Sequence, residues 1–265
     1  MKIINIYPNR GARFGHQMYD ICILLCFCNK YNLTYHIDNF DGNCNQFNKL
    51  FNLSTIFKCV ISNDLTCKQI SDFDNYDLLL SYILSNDGFI IKGHICGNEK
   101  LIQYIANNYI TCMEICKTYD IIGNLFRPSI CTIEYNNNMV NIGVHMRRGD
   151  IINSNRLIIS TTFINIMKLI NTCINRVMFH IFSDSPITDI YNEIPNIIDH
   201  TNLSETDTLQ YMCNMKYLIT SKSGFSHIAH IISNNMVYIH DGDWNIYYRQ
   251  NAYKDINKFI DNINK

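Results

Sequence analysis

Charge, proline and glycine are scarce in this sequence. Of its 265 residues, 17% are charged, 4 are proline and 11 are glycine, and the formal net charge is -1. No broad positive field is available to hold a polyanion, so neither nucleic acid nor an anionic membrane is expected as a partner. A single local basic site for a small anion remains open. Long hydrophobic runs are also missing. The longest, "ICILLCFC" at residues 21–28, falls far short of the roughly 20 residues of a membrane span and reads as a core helix. The opening "MKIINIYPNRG" has too short an apolar part for a signal peptide, with Pro8 and Arg10 following at once. The expected location is therefore the cytoplasm, or the host cytoplasm for a viral chain.

The 12 cysteines include no CxxC pair. Without a signal sequence they are expected to be reduced core residues, with a zinc site as the minority reading. "HIAH", His227 to His230, places two imidazoles one helical turn apart, a pattern commoner on a helix face than at a metal. Asn, Ile and Tyr are abundant, as expected of AT-rich coding in a virus or microbe. The length suits one large or two small domains with a sizeable core, and 47% hydrophobic residues suffice to fill it.

The first half opens with a strand, "KIINIY" (2–7), a turn-like "PNRGARFG" (8–15) and a helix over about 15–31. A strand "TYHI" (34–37) follows, then an irregular stretch over 38–75. Helical segments are expected near 76–84 and 99–119, and "YNNNM" (135–139) is the best linker. Beyond it, short apolar runs alternate with amphipathic stretches. Strands are expected at 140–145, 177–183, 196–200, 217–220 and 236–240. Helices are expected at 161–175, 186–192, 204–215, 223–233 and the end of the chain. This rhythm predicts βαβ units on a parallel sheet, with a boundary that separates residues 1–138 from 139–265.

Ligands bind such sheets at the carboxyl ends of the strands. Three strand ends carry polar residues: "HMRRGD" (145–150), "SDS" (183–185) and "TSKSGFS" (220–226). Arg147 and Arg148 offer planar forks of N–H donors that match phosphate oxygens. The third stretch leads into a helix, whose N-terminal N–H groups attract phosphate. Ser221, Ser223 and the backbone beside Gly224 complete a possible diphosphate cradle. The sequence has neither GxxxxGK(S/T) nor GxGxxG, so this is not a P-loop or a dinucleotide fingerprint. The plainer alternatives are a surface salt bridge from the arginines to Asp150 and, for Asp184, turn and helix-cap chemistry.

"GVHMRRGD" resembles the HxRRxD motif of the α1,2-fucosyltransferases of glycosyltransferase family 11, shared in outline with α1,6- and protein O-fucosyltransferases. "RGARFGHQMYD" (10–20) is similar to that family's G-x-(L/F)-G-N-Q-M loop, which places Arg13, Gly15, His16 and Gln17 in it. "FSDSP" (182–186) resembles a strand ending in Ser-Asp. "DTLQYMCNMKYLITSKSGFSHIAHII" (207–232) resembles the C-terminal segment, whose Ser/Thr-Phe-Ser helix start is matched by the stretch Ser223, Gly224, Phe225 and Ser226. The resemblance runs in order through nearly the whole chain. It implies an α/β GT-B fold, two Rossmann-like βαβ domains facing a cleft. The N-terminal domain (1–138) would be on the acceptor side, with roughly 38–98 as acceptor loops. The C-terminal domain (139–265) would carry the donor. It implies an inverting transfer from GDP-fucose to a glycan acceptor, with no metal and no further cofactor.

In that frame Arg147 binds the β-phosphate and offsets charge on the leaving GDP. Arg148 assists or holds the loop, and His145 lies near the nucleoside. Asp207 accepts the adjacent N1–H and N2–H of guanine, a pair that adenine and uracil lack. Ser223 contacts the diphosphate. The base is expected to be Asp150, for which a structural pairing with Arg148 is the alternative; Asp184 is a weaker base candidate. His16 departs from the family's Asn and is a third candidate base, or a sign of a changed donor or acceptor. Gly224 and His227 depart from a segment that is usually richer in aromatic residues. The competing readings are a GT-B transferase with another nucleotide sugar and a degenerate, glycan-binding relative.

Overall fold

The computed structural model describes residues 2–6, 14–37, 46–47, 50, 66–86, 89–92, 98–126, 138–154, 157–233, 235–239 and 252–265. They fall in two compact units, residues 1–126 and 127–265.

In the first unit, strands β1 (Lys2–Ile6), β2 (Thr34–Ile37), β3 (Thr66–Gln69) and β4 (Phe89–Lys92) form a parallel sheet in the order β2-β1-β4-β3. Helix α1 (Phe14–Lys30) includes the long apolar run, and every residue from Ile21 to Cys28 is buried. A helix buried on all sides needs no polar face, which explains its near-continuous apolar sequence. Cys22, Cys26 and Cys28 are thiols within it, and burial, with Cys26 adding, pushes the Cys28 thiol up. The helix ends where Asn32 turns left-handed at φ 52° and Leu33 N–H donates to the Cys28 carbonyl at 2.8 Å, a Schellman-type stop.

Helix α2 spans Tyr76–Ser85. The helical segment expected near 99–119 is two helices, α3 (Glu99–Tyr109) and α4 (Cys112–Phe126). The break is a reciprocal cap. Glu114 Oε2 accepts from Thr111 N–H at 2.7 Å, while Thr111 Oγ1 accepts from Glu114 N–H at 3.3 Å. Residues 38–75 are not irregular throughout, since β3 lies in them; it pairs with β4 at the end of the sheet order, and its sequence TCKQ has no alternation of apolar residues to announce it.

In the second unit, β5 (Val140–Met146), β6 (Val177–Ser183), β7 (Ile197–Asp199), β8 (Tyr217–Thr220), β9 (Met236–Ile239) and β10 (Ala252–Tyr253) form a six-stranded sheet. Its order is β10-β9-β8-β5-β6-β7, all parallel. The connecting helices are α5 (Ser160–Cys173), α6 (Thr188–Tyr191), α7 (Glu205–Asn214), α8 (Gly224–Ser233) and α9 (Ile256–Ile263). Ile142 to Met146 of β5 are all buried, as a central strand covered on both faces requires. Phe163, Met167 and Ile170 of α5 and Phe259 and Ile260 of α9 belong to the core cluster against it. The strand order is that of the doubly wound dinucleotide-binding sheet: the chain runs β5, β6, β7 outward, then returns to lay β8 on the other side of β5. The crevice between the carboxyl ends of β5 and β8 is the switch point, where such a sheet receives a ligand.

Candidate functional site

Both sides of the switch point carry candidate site residues. On the β8 side, Thr220 ends the strand and Ser221, Lys222 and Ser223 lead into α8. Ser223 N–H donates to the Ser221 carbonyl at 2.8 Å, and its Oγ accepts from Phe225 N–H at 3.3 Å. Ser221 and Ser223 are both buried, as is Gly224 at the helix start. On the β5 side, His145 Nδ1 lies 2.9 Å from Ser221 Oγ, and its ring sits 6.0 Å from that of Phe225. Burial pulls the His145 imidazole down to about 4, Asp184 opposing and Arg147 adding to the shift. His145 is therefore a neutral hydrogen-bonding group at physiological pH.

The two arginines diverge. Arg147 turns toward β8. Its Nη1 is 3.5 Å from Ser223 Oγ, the limit of a hydrogen bond, while Nε and Nη2 donate to the two oxygens of Asp150 at 2.9 and 2.7 Å. Asp150 thus grips one edge of the guanidinium and turns the other toward the start of α8. The partner of Asp150 is Arg147, and Arg148 turns the other way. Arg148 donates to Asp189 at 2.9 and 3.1 Å, to Ser160 Oγ at 2.7 Å and to the Pro186 carbonyl at 2.9 Å. Burial opposes it, but Arg148 and Ser160 still hold the Asp189 carboxyl below the usual range. Asp184 also serves the loop. Its Oδ1 accepts from Arg148 N–H at 2.7 Å and Gly149 N–H at 2.9 Å. Gly149 packs so closely that a β-carbon there would meet Asp184 Oδ2 at 3.1 Å. One loop of four residues is therefore held by three carboxylates.

Asp207 lies in the first turn of α7. Ser204 Oγ accepts from Asp207 N–H at 3.1 Å and donates to Asp207 Oδ2 at 2.6 Å. This is a helix cap, and a base that used the carboxylate would have to share it with Ser204. Gly15, His16 and Gln17 fall in the first turn of α1, with His16 exposed and Gln17 buried. Arg13 and most of the expected acceptor loops lie outside the described residues. On α8, His227 and His230 are both buried, with rings 6.3 Å apart, and His230 Nδ1 is 2.9 Å from the Asn235 carbonyl. Among the described residues no group of three His, Cys, Asp or Glu is arranged to hold a metal ion. No helix among them is long and apolar enough to cross a membrane.

Ser160, Asp189 and the Pro186 carbonyl, which position Arg148, have no signature in the sequence. They come from α5, α6 and the turn before α6, and only the fold brings them together. Ser204 was legible in principle, as a serine three residues before an acidic residue at a helix start.

No family model matches the chain, and no curated protein matches it either. Solved structures do. The chain is similar to POFUT1 in complex with GDP-fucose, with a TM-score of 0.54 and 12% identity over 91% of this chain and 98% of that one. It is similar to the E. coli heptosyltransferase WaaC with ADP, with a TM-score of 0.54 and 8% identity over 99% of both chains. It is also similar to an arginine-to-lysine mutant of Arabidopsis thaliana FUT1 in complex with GDP, with a TM-score of 0.51 and 10% identity over 92% of this chain and 71% of that one. The fold is that of the GT-B glycosyltransferases, with an α/β architecture and parallel sheets.

Proposed function

We propose that the protein is an inverting, metal-independent glycosyltransferase of the α1,2-fucosyltransferase type that moves fucose from GDP-fucose to a sugar hydroxyl. The observation that carries this reading is the free edge of Arg147 turned toward Ser223 and the start of α8, at the switch point of a doubly wound sheet. A guanidinium, a hydroxyl and a helix N-terminus converging on one point suit a diphosphate. Neighbours of the same fold carry GDP-fucose, GDP or ADP.

In the proposed reaction the acceptor oxygen forms a bond to the anomeric carbon as the bond from that carbon to the β-phosphate oxygen breaks. Arg147 and the α8 N-terminus take up the charge that builds on the leaving GDP, as preorganised donors do. Ser221 holds His145 in place beside the nucleoside. Arg148 and Asp184 fix the loop that carries Arg147, and Asp207 reads guanine at the helix start. The acceptor's proton passes to Asp150 or to His16; Asp150 would have to act while both its oxygens accept from Arg147.

The Ser204–Asp207 bond favours a second reading, a GT-B transferase with another nucleotide sugar, because guanine must compete for that carboxylate. Calorimetric titration with GDP, UDP, dTDP and ADP, without divalent metal, separates the two. Selective GDP binding that is lost in Arg147→Ala and weakened in Asp207→Ala is the expected result. Preference for another nucleotide would overturn the fucose donor. Binding of none would leave a non-catalytic glycan-binding relative.

A further inference from the structure

A second polar network lies on the same face of the sheet, on the β6–β7 side of His145. Gly143 and His145 on β5 face His180 and Phe182 on β6 in register. His200 follows β7 and donates its backbone N–H to the Ile181 carbonyl at 2.9 Å, which sets it beside Phe182. The His180 and His200 rings are nearly coplanar, at 6°, and joined through Nδ1 of His180 and Nε2 of His200 at 2.9 Å. His180 Nε2 lies 3.0 Å from Asn141 Oδ1, and Asn141 Nδ2 donates to the Met139 carbonyl at 3.0 Å.

This chain of hydrogen bonds has one possible sense. Because the Asn141 amide nitrogen faces a carbonyl, its oxygen must face His180. His180 then carries its proton on Nε2 and accepts through Nδ1, so His200 must carry a proton on Nε2. Burial, with His200 adding, pulls His180 down to about 4, in keeping with a neutral ring. His200 is thus a ring of fixed tautomer and orientation. Its outer surroundings are aromatic: Phe182 stacks at 5.0 Å and Tyr211 of α7 lies at 5.2 Å. Phe182 is fully buried, while His200 and Tyr211 are half-buried. Tyr211 sits four residues after Asp207, on the same face of α7.

Resting on the nucleotide reading above, we propose that His200 and Tyr211 form the wall against which the nucleobase packs, with the His200 ring held in place by Asn141 and His180. The diphosphate end of the site is at β5, β8 and α8. A nucleoside extending from it across the carboxyl ends of β5 and β6 meets this ring pair, with Asp207 one helical turn above. A planar purine gains from aromatic partners whatever its edge atoms, and the fixed ring loses no freedom on binding. Among the described residues, the charged group beside the pair is Asp199, which precedes His200 and opposes the burial that lowers the His200 imidazole; Tyr191 donates to Asp199.

The test is calorimetry of the full chain with two ligands, GDP and inorganic diphosphate, which shares the phosphates but lacks the base. His200→Leu and Tyr211→Leu are each expected to weaken GDP about tenfold, and His200→Phe, which keeps a ring, to restore most of that loss. Diphosphate affinity is expected to stay unchanged in all three. Unchanged GDP affinity in both leucine variants, or equal weakening of GDP and diphosphate, overturns the inference. Should His200→Leu fail to fold, Tyr211→Leu on the half-buried face of α7 decides alone. A wild-type protein that binds diphosphate but not GDP also overturns the inference, leaving the phosphate site standing. A wild-type protein that binds neither overturns the nucleotide reading itself and the inference with it.

Discussion

The loop after β5 faces two regions that treat positive charge in opposite ways. Toward α5 and α6, both terminal nitrogens of Arg148 donate to Asp189, Ser160 and Pro186 at distances between 2.7 and 3.1 Å, while its buried Nε has no hydrogen-bond partner among the described residues. Toward β8, Arg147 reaches Ser223 only at 3.5 Å. The first region commits its cation to the protein. The second engages one edge of its cation with Asp150 and leaves the other with a single long contact to Ser223. Neighbouring residues of one type thus differ in their partners alone.

Four experiments break or sharpen this contrast. Arg147→Ala is expected to reduce GDP affinity by about 100-fold, on the scale of removing a charge-assisted donor. Its melting temperature should stay close to wild type. A large loss of stability instead would show that Arg147 is also structural. Arg148→Ala should do the reverse and cost about 2 kcal/mol of folding free energy in a denaturant titration. GDP binding by the folded fraction should change by no more than a few-fold. Equal effects on binding in both variants would erase the division of labour.

Gly149→Ala tests the closeness of the third clamp. The added carbon would sit 3.1 Å from Asp184 Oδ2, so about 1 kcal/mol of destabilisation is expected from crowding. Unaltered stability would mean that the loop shifts freely. The last test is the pH dependence from His145. Its folded value is about 4, against an ordinary histidine value of 6.5. Between those values the unfolded chain binds more protons than the folded one. Stability contributed by keeping His145 neutral is therefore present above pH 6.5 and falls until about pH 4, then levels off. Melting temperatures across that window should decline less steeply in His145→Gln.

The second unit was legible almost element by element. Strands expected at 177–183 and 217–220 coincide with β6 and β8, because buried parallel strands read as unbroken apolar runs. The first unit was less so. Lys68, a charged residue, lies within β3, and a strand at the end of a sheet has little burial to enforce a pattern. The division at 110–111 was written in the sequence as Thr-x-x-Glu, yet apolar periodicity runs through it on both sides. In the site, the residue types at the strand ends were readable, and the structure sets Arg147 beside Ser223 and His145 beside Ser221. Partnership was not. "RRGD" offers Asp150 to either arginine, and only the direction of each side chain in the fold assigns it to Arg147. His200 lies outside every motif, and its place follows from register with β6 and the ring of Tyr211.

Arg147 and Ser223 meet across 76 residues of chain. The segment between them lays β6 and β7 on one side of β5 before, in chain order, it reaches β8 on the other. Such a long-range pairing is slow to close, because its loop entropy is lost before any contact rewards it. Arg147 therefore cannot meet Ser223 in a nascent chain until most of it has been made, and β9 and β10 complete the sheet only later in the chain.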